Sequence, residues 1–173
     1  YNVKETNTAD VVAMLHEIGT PSIPIHDSIT VRIKMTGEFP DKSKVLMQRF
    51  DREEGEVKKV QWQGNWATAA FRSFGNFQLV VDTTAPSISI PGIAENANLQ
   101  RSSRLAILVH DHFNQVRNFR ATLDGKWLLF SNDKRKAFIY HFDEHCPRGK
   151  HELKITAEDM AGKVGERVFH FVR

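Results

Sequence analysis

The chain has a single cysteine, Cys146, in 173 residues. That excludes an intramolecular disulfide and any metal site built from several thiolates. It does not exclude an oxidising compartment. Long apolar runs are also missing. Nothing approaches the ~20 consecutive apolar residues that carry a helix across a bilayer, and no basic-then-apolar leader stands at the start. The first residue is Tyr1, and we expect a soluble segment of a longer precursor with no membrane span of its own. Neither sign of charge dominates: 24 Lys and Arg face 21 Asp and Glu, a net charge of +3. Nucleic-acid binders carry a clustered basic face. The longest basic run here, Lys134-Arg135-Lys136, reads as a solvated hairpin turn, so no nucleic-acid partner is expected.

The signatures of catalysis are scarce as well. No Gly-x-Ser-x-Gly elbow occurs, and no Gly-rich loop precedes a helix to cradle phosphate. Cys146 is followed by Pro147 in a turn, with no sign of an activating context. The paired carboxylates Glu53-Glu54 and Asp143-Glu144 fall in turns, where solvation accounts for them. We assign no catalytic residue and expect neither an enzyme nor a cofactor.

What is present is short strands. Hydrophobic residues make up 40% of the chain, enough for packed cores. Ser28 to Met35 alternates Ile29, Val31, Ile33 and Met35 with polar neighbours, the period of a half-buried strand. Glu38-Phe39-Pro40-Asp41 breaks it. Val45 to Phe50 follows, Glu53-Glu54-Gly55 turns the chain, and Val57 to Trp62, Ala67 to Phe71 and Phe74 to Val81 continue the series. Val11, Leu15 and Ile18 have helical spacing, but Val11-Val12 and Gly19-Thr20-Pro21 favour a strand and turn there. In the second half, Leu105, Ile107 and Val109 alternate. Phe119 to Leu123 and Lys126 to Phe130 flank Asp124-Gly125, a strong hairpin signal because a type I′ turn needs positive φ at both positions. Ala137 to Phe142, His151 to Ala157 and Arg167 to Val172 complete the set. The last strand carries apolar surface on both faces.

Between the halves stands Asp82-Thr83-Thr84-Ala85-Pro86. Pro86 lacks an N–H and biases Ala85 to an extended backbone. It reads as a taut linker, with Asp82 bonding to backbone N–H groups of the turn. Each half has strand candidates at roughly 8–12-residue spacing. The expected fold is all-β: two tandem immunoglobulin-like or fibronectin-III-like β-sandwiches, over 1–84 and 85–173. Leu79, Val81, Ile107, Val109, Trp127 and Ile155 are expected in the cores.

Three groups of side chains invite chemistry. His110-Asp111-His112 has the spacing of a zinc pair if both rings leave one strand in the same direction. A third ligand would have to come from the region of His141, Asp143, His145 and Cys146, which nothing in the spacing requires, so no metal is assigned. Asp82, Asp111 and Asp159 stand at strand ends, where calcium can bind, but calcium takes six to eight oxygens and no dense acidic cluster supplies them. Trp62, Asn65 and Trp66 make an aromatic-flanked turn, and Trp127 follows another. Exposed Trp rings could stack on sugars, although a Trp in a small sandwich is commonly core.

Several of these motifs together resemble one family. They are Phe71-Arg72-Ser73-Phe74-Gly75-Asn76-Phe77, Val81 to Pro86, Leu123-Asp124-Gly125-Lys126-Trp127-Leu128-Leu129, Gly149-Lys150-His151-Glu152-Leu153 and Asp159-Met160-Ala161-Gly162. The chain resembles the C-terminal, non-catalytic Ig-like region of Gram-negative envelope proteins of the lysostaphin-type zinc metallopeptidase family. It departs from that pattern at Gly162-Lys163, where Gly-Asn is usual, and at Ser131-Asn132-Asp133, where an acidic-aromatic stretch is usual. The resemblance implies an upstream peptidase domain, a periplasmic or other envelope location, and peptidoglycan or an envelope protein as partner. No active-site residue carries over, and His110 to His112 falls where the accessory region has a strand end. The expected function is a non-catalytic spacer and docking surface beside a metallopeptidase. The alternative is a carbohydrate- or peptidoglycan-binding module using Trp62, Asn65, Trp66 and Trp127.

Overall fold

The computed structural model describes residues 1–5, 10–36, 39–52, 55–133 and 137–173. The turns read at Glu38 and Glu53-Glu54 and the basic run Lys134 to Lys136 lie outside them. The chain divides into two units, Tyr1–Thr83 and Thr84–Arg173. Both are all-β, and together they form a tandem of Ig-like, fibronectin-III-like sandwiches. No helix among the described residues is long and apolar enough to cross a membrane, which does not bear on β-barrels.

In the first unit the strands are β1 Asn2–Lys4, β2 Leu15–Ile18, β3 Ile29–Lys34, β4 Val45–Phe50, β5 Gly55–Lys59, β6 Gln61–Gln63, β7 Trp66–Phe71 and β8 Gly75–Val81. One sheet has the order β1-β2-β8-β4-β5 and the other β3-β7-β6. Val31, Ile33, Ala67, Ala69 and Phe71 from the second sheet meet Val45, Met47, Phe77, Leu79 and Val81 from the first in one core. Phe71 and Phe77 pack edge to face across it, centroids 5.2 Å apart. Each of the Val, Ile, Leu, Met and Phe side chains, fully buried, contributes about 1.5–3 kcal/mol of transfer free energy. The ambiguous N-terminal stretch is extended, with β2 pairing β8 and Val11 bridging Val80. The buried Arg49 guanidinium pairs with Asp51 and donates to the carbonyl of Phe74, fixing the loop that enters β8.

The run Val57 to Trp62, read as one strand, is two. β5 pairs β4 in one sheet and β6 pairs β7 in the other. The chain changes sheets at Val60, whose side chain packs against the core. The apolar residues of the run, Val57, Val60 and Trp62, do not record which sheet each half joins.

In the second unit the strands are β9 Ser87–Ser89, β10 Ala97–Asn98, β11 Arg104–His110, β12 Val116–Leu123, β13 Lys126–Trp127, β14 Ser131–Asn132, β15 Ala137–His141, β16 Lys150–Asp159 and β17 Val164–Val172. The sheet β10-β17-β16-β12-β13 faces the sheet β14-β15-β11-β9. Leu105, Ile107 and Tyr140 of one pack against Ala121, Leu123, Leu153, Ile155, Phe169 and Phe171 of the other. Asp124 and Gly125 have φ of 49° and 79°, as a type I′ turn demands.

Trp127 departs from its expected core position, with 58% of its surface exposed. The two-residue turn sets Trp127 opposite Thr122, which shares its face with outward residues, while Leu123 and Ala121 point inward. Leu128 takes the buried position instead, and β13 ends at Trp127. Val109 is half-buried rather than core, whereas Leu79, Val81, Ile107 and Ile155 are buried.

Candidate functional site

The aromatic turn of the first unit joins β6 to β7. Trp62 lies opposite the buried Ala67 and Trp66 opposite Gln63, so the two rings leave opposite faces of the sheet. Trp62 packs against the core, and its Nε1–H donates to the Lys42 carbonyl at 3.3 Å. The Lys42 ammonium sits over its ring, 4.8 Å from the centroid. The same ammonium donates to the Gly64 carbonyl and to Oδ1 of Asn65. Trp66 is exposed, but the Arg32 guanidinium lies 5.5 Å from its ring centre while donating to Gln63. Trp62, Asn65 and Trp66 are thus brought near one another without making a shared platform. Both rings already meet a cation of the same unit.

Trp127 stands differently. Beside it, on the outer face of the five-stranded sheet, lies an open groove of about 550 Å³. Its lining includes Asn118, Arg120, Trp127, Thr156, Glu158 and Val164. Strand register arranges this face in rows. Asn118, Glu158 and Val164 form one, Arg120, Thr156 and Glu166 the next, and Trp127, Thr122, Lys154 and Val168 the third. Val164 and Val168 are exposed large hydrophobics, so the last strand does present apolar surface outward. The Glu158 carboxylate accepts from Asn118 at 2.6 Å and pairs with Arg117 at 3.2 Å. None of the cation–ring contacts among the described residues involves Trp127. An open indole beside an amide, a guanidinium, a hydroxyl and a carboxylate can stack on an apolar ring face and bond to hydroxyls at its edge. Sequence reading singled out Trp127 but not Asn118, Arg120 or Glu158. The available signal was the polar parity of β12 and β16, which places 118, 120, 156 and 158 on the face opposite the core.

The histidine candidates stay apart. β11 ends at His110, and His112 lies in the following turn, so one strand does not aim both rings. Both are exposed, and His112 packs on Phe113 with centroids 4.5 Å apart. Neither belongs to a group of three or more possible ligand side chains among the described residues. In the second histidine region, Asp143 accepts from the Tyr140 hydroxyl at 2.6 Å and from the His145 N–H. The Tyr140 bond holds the Asp143 carboxyl below its ordinary range, while burial and then Asp143 push the Tyr140 phenol up. Cys146 is core, and burial pushes its thiol up to about 11. A thiol protonated at neutral pH is a poor ligand and a poor nucleophile.

Below the Asp124-Gly125 turn, the buried His151 ring reaches Asp124 through Nδ1 and the Pro147 carbonyl through Nε2, both at 2.7 Å. Burial works to raise the Asp124 carboxyl, but the Glu152 N–H and the His151 ring outweigh it and hold the group below its usual range. This constellation braces the hairpin that displays Trp127.

The fold and the exposed groove define a class: a tandem of small β-sandwiches with a polar, aromatic-edged face on the second. A family model described as a Zu5-like domain matches residues 1–82. No curated protein matches the sequence. Among solved structures, the chain is similar to the endo-β-1,4-mannanase from Thermotoga petrophila at 13% identity and a TM-score of 0.44, over 53% of this chain and 20% of that one. It is similar to the fibronectin(III)-like modules of Clostridium thermocellum CbhA at 10% identity and a TM-score of 0.39, over 83% and 84%. A third likeness is to the Endo-D glycoside hydrolase domain from Streptococcus pneumoniae R6, at 9% identity and a TM-score of 0.31, over 92% and 33%. The chain thus spans about a fifth of the mannanase chain and a third of the Endo-D chain. None of these scores reaches 0.5, and the fold class rests on the chain's own sheets and cores.

Proposed function

We propose that this chain is a non-catalytic accessory module whose second unit holds a glycan-bearing polymer on the Trp127 face. The observation that supports it is the outward Trp127, set by the Asp124-Gly125 turn beside Asn118, Arg120, Thr156 and Glu158. A spacer alone has no use for a large exposed indole on a rigid sheet edge, whereas stacking a sugar needs a rigid open ring. The wider setting belongs to the same proposal: an envelope protein, with a lysostaphin-type peptidase domain elsewhere in it and peptidoglycan as the polymer. The first unit serves as spacer.

Titration of the full chain with soluble muropeptides, followed by Trp fluorescence, tests this. Saturable quenching is expected, lost in Trp127→Ala and retained in Trp66→Ala. Loss in Trp66→Ala alone would move the site to the first unit. Absence of saturable binding by the folded wild-type chain would leave only the docking role.

A further inference from the structure

We propose that the second unit holds a hard divalent cation, calcium by its ligand chemistry, between Asp111 and Asp159. This departs from the expectation of a cofactor-free chain and does not depend on the Trp127 face.

The two residues stand at one end of the unit, where β11 runs out and where β16 turns into β17. Each uses one carboxylate oxygen to hold its own loop. Asp111 Oδ2 accepts from the N–H groups of Phe113 at 3.0 Å and Gln115 at 3.1 Å. Asp159 Oδ1 accepts from the Lys163 N–H at 2.9 Å, and the turn closes with Asp159 N–H to the Lys163 carbonyl and Gly162 N–H to the Asp159 carbonyl. The other oxygens, Asp111 Oδ1 and Asp159 Oδ2, are enclosed and have no hydrogen-bond partner among the described residues. Asp159 has no exposed surface at all.

That arrangement is unfavourable by itself. A buried ionised carboxylate without a partner costs several kcal/mol or more, and a second one beside it adds repulsion. One carboxylate oxygen of each residue lies within 4.8 Å of the other. No ion pair among the described residues involves either residue. A cation between them would pair with both carboxylates and cancel the repulsion. Oxygen-only donors select a hard ion over zinc, which favours nitrogen and sulfur. Calcium–oxygen distances of about 2.3–2.6 Å allow two ligand oxygens to stand up to about 5.2 Å apart, which accommodates this pair. Reaching an oxygen with no solvent exposure requires the ion to shed water, which magnesium does reluctantly. Backbone and water oxygens would complete the shell.

The test adds calcium chloride to the chelator-stripped full chain. A Kd on the order of 10⁻⁴–10⁻³ M is expected, as for extracellular calcium modules. Thermal unfolding should shift upward, with a smaller shift in magnesium. Amide resonances should move at 111–115 and 159–163. Asp111→Asn should weaken binding roughly tenfold or more while keeping the fold. Asp159→Asn should abolish binding, and if it fails to fold, Asp111→Asn decides alone. The proposal is overturned by no calcium response in the folded wild type up to ~10 mM, well above that Kd range. It is equally overturned by unchanged binding in Asp111→Asn or by shifts confined to Asp143–His145. An equal response to magnesium overturns the calcium assignment.

Discussion

His170 carries the clearest pH dependence at the level of single residues. It projects from β17 toward Glu95, with Nδ1 at 2.7 Å and its backbone N–H donating to the same oxygen, and toward Glu152 at 3.4 Å. The Glu95 bond raises the His170 pKa above its usual value near 6.5; desolvation opposes it, and the Glu152 contact adds to the rise. A raised folded-state value means that the imidazolium is favoured in the folded chain. Its stabilising contribution is therefore complete below about pH 6.5 and fades as pH rises through the higher folded value. The ring is exposed, so the effect is modest and salt-sensitive. NMR titration should place the His170 midpoint above that of a solvated histidine, and Glu95→Gln should lower it. A midpoint unchanged by Glu95→Gln would show that the pair does not hold the proton.

Among elements, β17 is where local sequence and packing meet most tightly. A Cβ on Gly165 would fall 1.9 Å from the Pro86 carbonyl oxygen and 3.0 Å from its carbon. Both are backbone atoms, so no side chain can swing aside. Gly165→Ala should therefore destabilise the second unit by about 1–3 kcal/mol, as overpacking does, and lower its unfolding midpoint. Wild-type stability in that variant would mean that the Pro86 segment can shift freely. Pro86 stood out in the sequence as a linker residue, but its tight fit against Gly165 did not, because the two are distant along the chain. Arg167, donating to the Ile88 carbonyl at 2.9 Å, joins β17 to β9 in the same way. The Asp124-Gly125 turn was legible because its constraint is local: two consecutive positive φ values need residues that tolerate them. The sheet change at Val60 was not legible, since which sheet β5 and β6 join is set by partners elsewhere in the chain.

At the scale of the whole chain, each unit has its own core built from two facing sheets. The segment 84–173, expressed alone, should fold and unfold cooperatively, checked by near-UV circular dichroism and denaturant titration. A molten segment, with far-UV but no near-UV signal, would contradict a self-sufficient core. The amino-acid sequence by itself determined the all-β character, the positions of most strands and the Asp-Gly hairpin. Period-two alternation and turn residues act over a few neighbours and are written in order along the chain. The tertiary structure alone decided that Trp127 faces solvent, that Lys42 and Arg32 meet the Trp62 and Trp66 rings, and that Asp111 and Asp159 bring their carboxylates together. Each of those outcomes depends on which strands pair and in what register. A shift of one residue exchanges the two faces of a strand, so a side chain's surroundings are set by partners far away in sequence.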